Sequence, residues 1–191
     1  MPKAKDDTKV LAIHQAAIQV VNNTGFTGLK MAEVAKKANI ATGTLYIYYP
    51  NKEALIQDTF IATKKLIMGV LLNPAHKDAT FFLTFKNMWM AYAQYCFAHT
   101  ENMLFVEQFI YSGFIPETTI VQVDAWFMPL HDFLDEAKQN GLIKNIANDL
   151  LLAQMQGGIH EIVKIVKQKN LPFSPQTLEQ CFSMAWDSLK S

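Results

Sequence analysis

The stretch from Leu29 to Leu55, LKMAEVAKKANIATGTLYIYYPNKEAL, constrains the fold more than any other. It must hold two short helical segments, a sharp reversal and the capped start of a third helix. Met31, Val34 and Ala35 recur at helical spacing, so the first segment buries one stripe and leaves Lys30, Glu33, Lys36 and Lys37 toward solvent. The chain then has to reverse at Asn39, and asparagine is one of the few side chains besides glycine that tolerates a left-handed backbone. Ile40 and Leu45 can anchor the second segment to the first, while Thr42, Gly43, Thr44, Tyr46 and Ile47 point elsewhere. Pro50 stops that segment, and Asn51 caps the next helix over Lys52, Glu53 and Ala54. Two short helices about a tight turn make a helix-turn-helix.

The flanking sequence reads as helix throughout. A first helix is expected from about Thr8 to Asn23, with Val10, Leu11, Ala17, Ile18 and Val21 inward and Gly25 closing it. The helix opened by Asn51 should run to about Leu72 and end at Asn73-Pro74. Asp78 is placed to cap an aromatic-rich helix to about His99 that should be buried nearly all round, and Thr100 to begin a shorter one closed by Ser112-Gly113. A helix from about Glu117 to Asn140 should kink at Pro129, where a backbone bond is lost. Asn148 is placed to cap a helix to about Gln168, and Ser174-Pro175 to start the last. No strand-like alternation or internal repeat interrupts this pattern.

With 191 residues, half of them apolar, the chain can bury a sizeable core. Its 17 basic and 17 acidic residues balance, so no global positive charge points to nucleic acid. The distribution says slightly more: Lys3, Lys5, Lys9, Lys30, Lys36, Lys37 and Lys52 face only Asp6, Asp7, Glu33, Glu53 and Asp58 in the first 60 residues. Every basic residue is lysine, so no guanidinium is available for a bidentate grip on guanine or phosphate. Cys96 and Cys181 lie in apolar helical patterns without metal or secreted-disulfide spacing. No apolar run reaches the roughly 18 residues of a membrane span, so a soluble, cytoplasmic protein is expected.

The segments EVAKKANIATG at 33–43 and GTLYIYYPNKEAL at 43–55 resemble the DNA-binding signature of the tetracycline-repressor (TetR) family of bacterial regulators. They share its apolar-Ala pair, its Ala-turn-Ile step, T-L-Y, a further aromatic pair and a lysine opening the fourth helix. The match covers about the first third of the chain; the remainder is similar in length and all-helical pattern. Three positions depart from it. Asn39 replaces the usual turn glycine, Ala41 replaces the Ser or Thr that caps the second helix, typically worth about 1 kcal/mol, and Lys30 stands where Thr commonly begins helix two.

The resemblance implies an all-α chain, with a three-helix helix-turn-helix DNA-binding domain at 1–51 and a helical ligand-binding and dimerisation domain at 52–191. It implies a ligand-responsive transcriptional regulator, expected to be a repressor, that binds an inverted-repeat DNA operator as a homodimer and is released by a small hydrophobic effector. Carried over at matching positions, the DNA-facing set is Lys30, Thr42, Gly43, Thr44, Tyr46, Tyr48 and Lys52. Threonine hydroxyls and methyls would meet base edges, Gly43 would let the backbone come close, Tyr46 would meet backbone or a thymine methyl, and Tyr48 and Lys52 would meet phosphates. Tyr49 reads as core.

An effector cavity needs apolar walls with a few polar groups, chemistry that Trp89, Tyr92, Phe109, Trp126, His131 and Met155 supply. The last two helices carry apolar stripes, Leu151, Met155, Ile159 and Ile162 on one and Phe182 and Trp186 on the other, that exceed what one edge of a small helical domain covers, so a four-helix dimer interface is expected. The five histidines are scattered and no metal site or cofactor is expected. Nor is an enzyme, because nucleophile elbow, phosphate loop and metal-hydrolase helix are all missing. The competing reading is an all-helical apolar-ligand carrier or enzyme with an incidental helix-turn-helix.

Overall fold

The computed structural model describes residues 7–110 and 112–191; Lys3, Lys5 and Asp6 of the N-terminal charge balance lie outside them. Among the described residues the chain is all-α: α1 (Asp7–Gly28), α2 (Met31–Lys37), α3 (Thr42–Tyr48), α4 (Lys52–Leu71), α5 (Phe81–Ala98), α6 (Thr100–Ile110), α7 (Glu117–Ala125), α8 (Met128–Gln139), α9 (Asn148–Lys169) and α10 (Pro175–Leu189). Two compact units result, one running through Lys65 and taking in Glu101–Val121, the other Leu66–Thr100 with Gln122–Ser191. The backbone passes between them within α4, at the start of α6 and within α7.

In the first unit, α1 is interrupted at Gly25 (φ 69°, ψ 172°), a left-handed conformation that only glycine adopts readily. Phe26, just after it, packs on Phe114 at 4.0 Å and Phe109 at 5.7 Å between ring centroids. Ile13, Val21, Val34, Leu45, Leu55, Phe60 and Phe105 fill the rest of this core. Polar ties join its distant segments: Asn22 Nδ2 donates to the Glu101 carbonyl at 2.9 Å, and Gln57 Nε2 donates to Thr119 Oγ1 at 2.7 Å.

The second unit is organised around α5, which packs against both α9 and α10. Phe85, Met88, Trp89, Tyr92, Ala93 and Cys96 are buried, as the aromatic density of this helix requires. Three local readings are corrected. The cap of α5 is Thr80, whose Oγ1 accepts from Leu83 N at 3.2 Å, and not Asp78, whose carboxylate turns to Ala79 N. Pro129 does not kink one long helix but follows a break at Trp126–Phe127 and lies in the first turn of α8, where its missing N–H has no intrahelical acceptor to lose. Asn148 does not cap α9. The helix opens at Ala147 without a side-chain cap, and the Asn148 amide donates to the His131 carbonyl and Asp135 Oδ1. Ser174 does cap α10, accepting from Thr177 N at 3.1 Å.

Candidate DNA-binding face and effector region

The reversal between α2 and α3 is made as its sequence requires. Asn39 has φ 55°, and Ile40 N closes the turn by donating to the Ala35 carbonyl at 3.0 Å. Val34, Ala35 and Leu45 are fully buried and lock the two helices face to face. Ala41 precedes α3 with no side-chain cap, and Lys30 precedes α2 in the same way, exposed. With Leu45 inward, the outer side of α3 consists of Thr42, Gly43, Tyr46 and Ile47, all exposed, with Thr44 and Tyr48 half-buried beside them. Tyr46 is 51% exposed and Ile47 82%.

Pro50 and Asn51 then turn the chain into α4, where Asn51 Oδ1 accepts from Ala54 N at 2.8 Å. Lys52 in the first turn of α4 is half-buried, its Nζ 4.7 Å above the Phe26 ring, so the ammonium is positioned by a cation-π contact that leaves N–H groups for an anion. The six side-chain candidates for DNA contact, and Gly43 with them, thus lie on α3, at the start of α2 and at the start of α4.

Tyr49, expected as plain core, is more than that. Its ring is buried, but its O–H donates to Asp58 Oδ2 at 2.6 Å and lies 2.8 Å from His14 Nε2. Because tyrosine has a single proton and gives it to the carboxylate, His14 must donate to the phenol oxygen. Burial first, then the hydrogen bond and charge of Asp58, push the Tyr49 phenol far above its usual range, so it remains a donor. This network ties α1, the residue directly after α3, and α4. Sequence reading missed it because His14 and Asp58 lie 35 and 9 positions from Tyr49 and form no local motif.

In the second unit Trp89 and Tyr92 are buried one turn apart on α5. Tyr92 Oη lies 2.9 Å from His160 Nε2 of α9, and the indole Nε1 of Trp89 finds no acceptor among the described residues. Trp126, His131 and Met155 are half-buried in the same unit. Phe109 is not with them: it belongs to the first unit, against Phe26 and Phe105. An open cleft of about 610 Å³ in the second unit is walled by Leu71, Phe81, Met88, Phe133 and Leu142 and rimmed by Asp132 and Glu136. None of the six effector candidates lines it.

The stripes expected to meet a second chain are only partly available. Leu151, Ile159 and Phe182 are buried inside the unit, Phe182 at 3% exposure with Phe82, Phe85 and Trp89 around it. Trp186 is half-buried against Phe81, Phe82 and Phe85, and Met155 and Ile162 are half-buried. The aromatic side of α5 has taken the α10 stripe. The apolar groups left outward are Leu150 and Met184, each 64% exposed, with Ile165, and the open backbone of Gly157 and Gly158.

A buried anchor, a left-handed turn and a short exposed helix define a helix-turn-helix protein, and comparison with known proteins gives its kind. Residues 13–59 match the family of bacterial regulatory proteins called the tetR family, and residues 81–190 match the tetracyclin repressor-like C-terminal domain. The chain belongs to the TetR family and is a helix-turn-helix transcriptional regulator. It is similar to an HTH-type transcriptional regulator of Haemophilus influenzae, with 22% identity over the whole of both chains. It resembles the crystal structure of a TetR family transcription regulator from Marinobacter aquaeolei with a TM-score of 0.91 and 26% identity over 98% of each chain. It also shares the fold of the transcriptional regulator FadR from Bacillus subtilis, solved in complex with stearoyl-CoA, with a TM-score of 0.73 and 17% identity over 93% of this chain and 98% of that one. Among the described residues no helix is long and apolar enough to cross a membrane, and no cluster of His, Cys, Asp and Glu could hold a metal ion.

Proposed function

We propose that this regulator is a dimeric repressor. Residues 1–51 bind an inverted-repeat operator, and residues 52–191 pair with a second chain and take up a small, largely apolar effector that releases the DNA. The observation that carries the DNA-binding half is the outer side of α3: Thr42, Gly43, Tyr46 and Ile47 project to solvent from a helix whose opposite side is locked by Leu45. A helix held so presents a rigid reading head to a major groove. Lacking arginine, it reads through hydroxyls and methyls, so the operator depends little on guanine. Pairing through Leu150, Gly157, Gly158 and Ile165 of α9 and Met184 of α10 covers apolar surface that the chain leaves open.

What supports an effector is Trp89. A buried indole N–H without an acceptor is unfavourable by about 1 to 3 kcal/mol, and an acceptor on a bound molecule relieves it. Release follows from geometry, since two half-sites about one helical turn apart cannot both be met after a small pivot of α4. A hundredfold loss of DNA affinity requires the effector to favour the non-binding arrangement by about 2.7 kcal/mol. Gel shifts against the promoter regions beside its own gene test the first half. The second is tested by calorimetry of an effector, found by thermal-shift screening, with and without operator: equal affinities refute the release mechanism. Ile165→Glu with Met184→Glu should give monomers by light scattering, and a persisting dimer refutes this interface.

A further inference from the structure

Leu45 faces the helix-turn-helix core, and residues two positions away on an α-helix lie roughly 200° around, on the opposite side. Those residues are Gly43 and Ile47. They are also four apart and therefore stacked on one face. A Cβ at Gly43 would meet nothing within 4 Å, so the ridge opposite the anchor is a bare stretch of backbone followed by one projecting aliphatic side chain. Ile47 is 82% exposed, more than any other large apolar side chain described, on a helix of a DNA-binding protein whose other outward groups can all hydrogen-bond. An isoleucine so placed gains nothing in the free protein. In a major groove it meets the one apolar group on a base edge, the thymine C5-methyl.

We propose that Ile47 is a specificity-determining residue that reads the C5-methyl of a pyrimidine in each half-site, and that 5-methylcytosine can therefore stand in for thymine there. The assignment rests on the DNA-binding reading above and goes beyond it, because Ile47 replaces hydrogen-bond readout with recognition of a methyl group, whichever pyrimidine carries it. Gly43 makes the approach possible, since a side chain there would hold the helix away from the base edge.

The test is selection by the full chain from a randomised 30-base-pair duplex library, followed by single-position changes in the selected duplex that alter only a methyl. Replacing one particular thymine per half-site with uracil should weaken wild-type binding about fourfold, the equivalent of the ~0.8 kcal/mol of one buried methyl(ene). Where a C·G pair replaces that T·A pair, 5-methylcytosine should bind about fourfold better than cytosine. Ile47→Ala should abolish both differences while keeping the wild-type salt slope, because no phosphate contact is lost. Ile47→Val, which keeps a branched methyl, should retain them. Ile47 is exposed, so circular dichroism and melting temperature should be unchanged in both variants. If uracil is tolerated at every position, or if the methyl effect persists undiminished in Ile47→Ala, the assignment is wrong. If the chain enriches no duplex at all, the DNA-binding reading falls and this assignment with it.

Discussion

Tyr49→Phe removes one oxygen atom and keeps the ring, so it isolates the hydrogen bonds that join α1 and α4 next to α3. In the wild type the phenol gives its proton to Asp58 at 2.6 Å and receives one from His14 at 2.8 Å. Asp58 is about half exposed and can turn to water, so its loss is small. His14 is 8% exposed, and an unsatisfied buried donor is unfavourable by about 1 to 3 kcal/mol. Part is recovered, since His14 Nε2 already lies 3.4 Å from Asp58 Oδ2 and can close on it directly. The net expectation is a loss of about 1.5 kcal/mol, or roughly 3 to 6 °C in melting temperature for a chain of this size. His14→Leu in the same background removes the stranded donor, so the double variant should be no less stable than Tyr49→Phe alone, where independent sites would add. Urea and thermal unfolding of the wild type, both single variants and the double variant measure this. A Tyr49→Phe loss below about 0.5 kcal/mol, or losses that simply add in the double variant, would refute the coupled network.

Asn39→Gly should leave stability within about 0.5 kcal/mol, while Asn39→Ala should lose about 1 kcal/mol or more at φ 55°, both read by thermal unfolding. Among the thiols, Cys181 is half-buried and should react with an aromatic disulfide reagent in the native protein at pH 8. Cys96, buried and pushed up to about 12 by desolvation, should react only after denaturation. Asp135 is held below the usual carboxylate pKa by Lys138 first and Asn148 second, so its folded pKa lies under its unfolded one and its contribution is lost as pH falls through that lower value. Asp135→Asn should therefore be less stable than wild type at pH 7, with the gap closing below about pH 3.8 in melting experiments.

Much of the helix-turn-helix was legible because its determinants are local. The turn asparagine, the Asn51 cap and the Leu45 anchor each act within a few residues, and each is where the sequence puts it. The caps of α5 and α9 were misread because Asp78, Thr80 and Asn148 are all competent capping residues, and tertiary partners decide between them: Asn148 is drawn away by His131 and Asp135. Periodicity located the stripes of α9 and α10 but not their destinations. Phe182 could equally face a neighbouring chain or α5, and only the placement of Phe82, Phe85 and Trp89 assigns it inward. Phe109 lies apart from the other effector candidates for a related reason, since an aromatic residue on α6 carries no local mark of the unit it joins.

The first unit takes in Glu101–Val121, and this sets an order of events on the ribosome. Residues through Lys65 emerge first, already carrying α1, α2 and α3, yet Phe26 has no Phe109 or Phe114 to pack on, and Asn22 and Gln57 lack Glu101 and Thr119. At the usual synthesis rate of about 5 to 20 residues per second, those partners follow only after roughly 2 to 11 s. During that interval the Phe26 side of the nascent helix-turn-helix segment lacks its cover and is open to a chaperone. A nascent chain stalled before Phe109 should accordingly be far more sensitive to protease than one stalled after Val121 has cleared the exit tunnel.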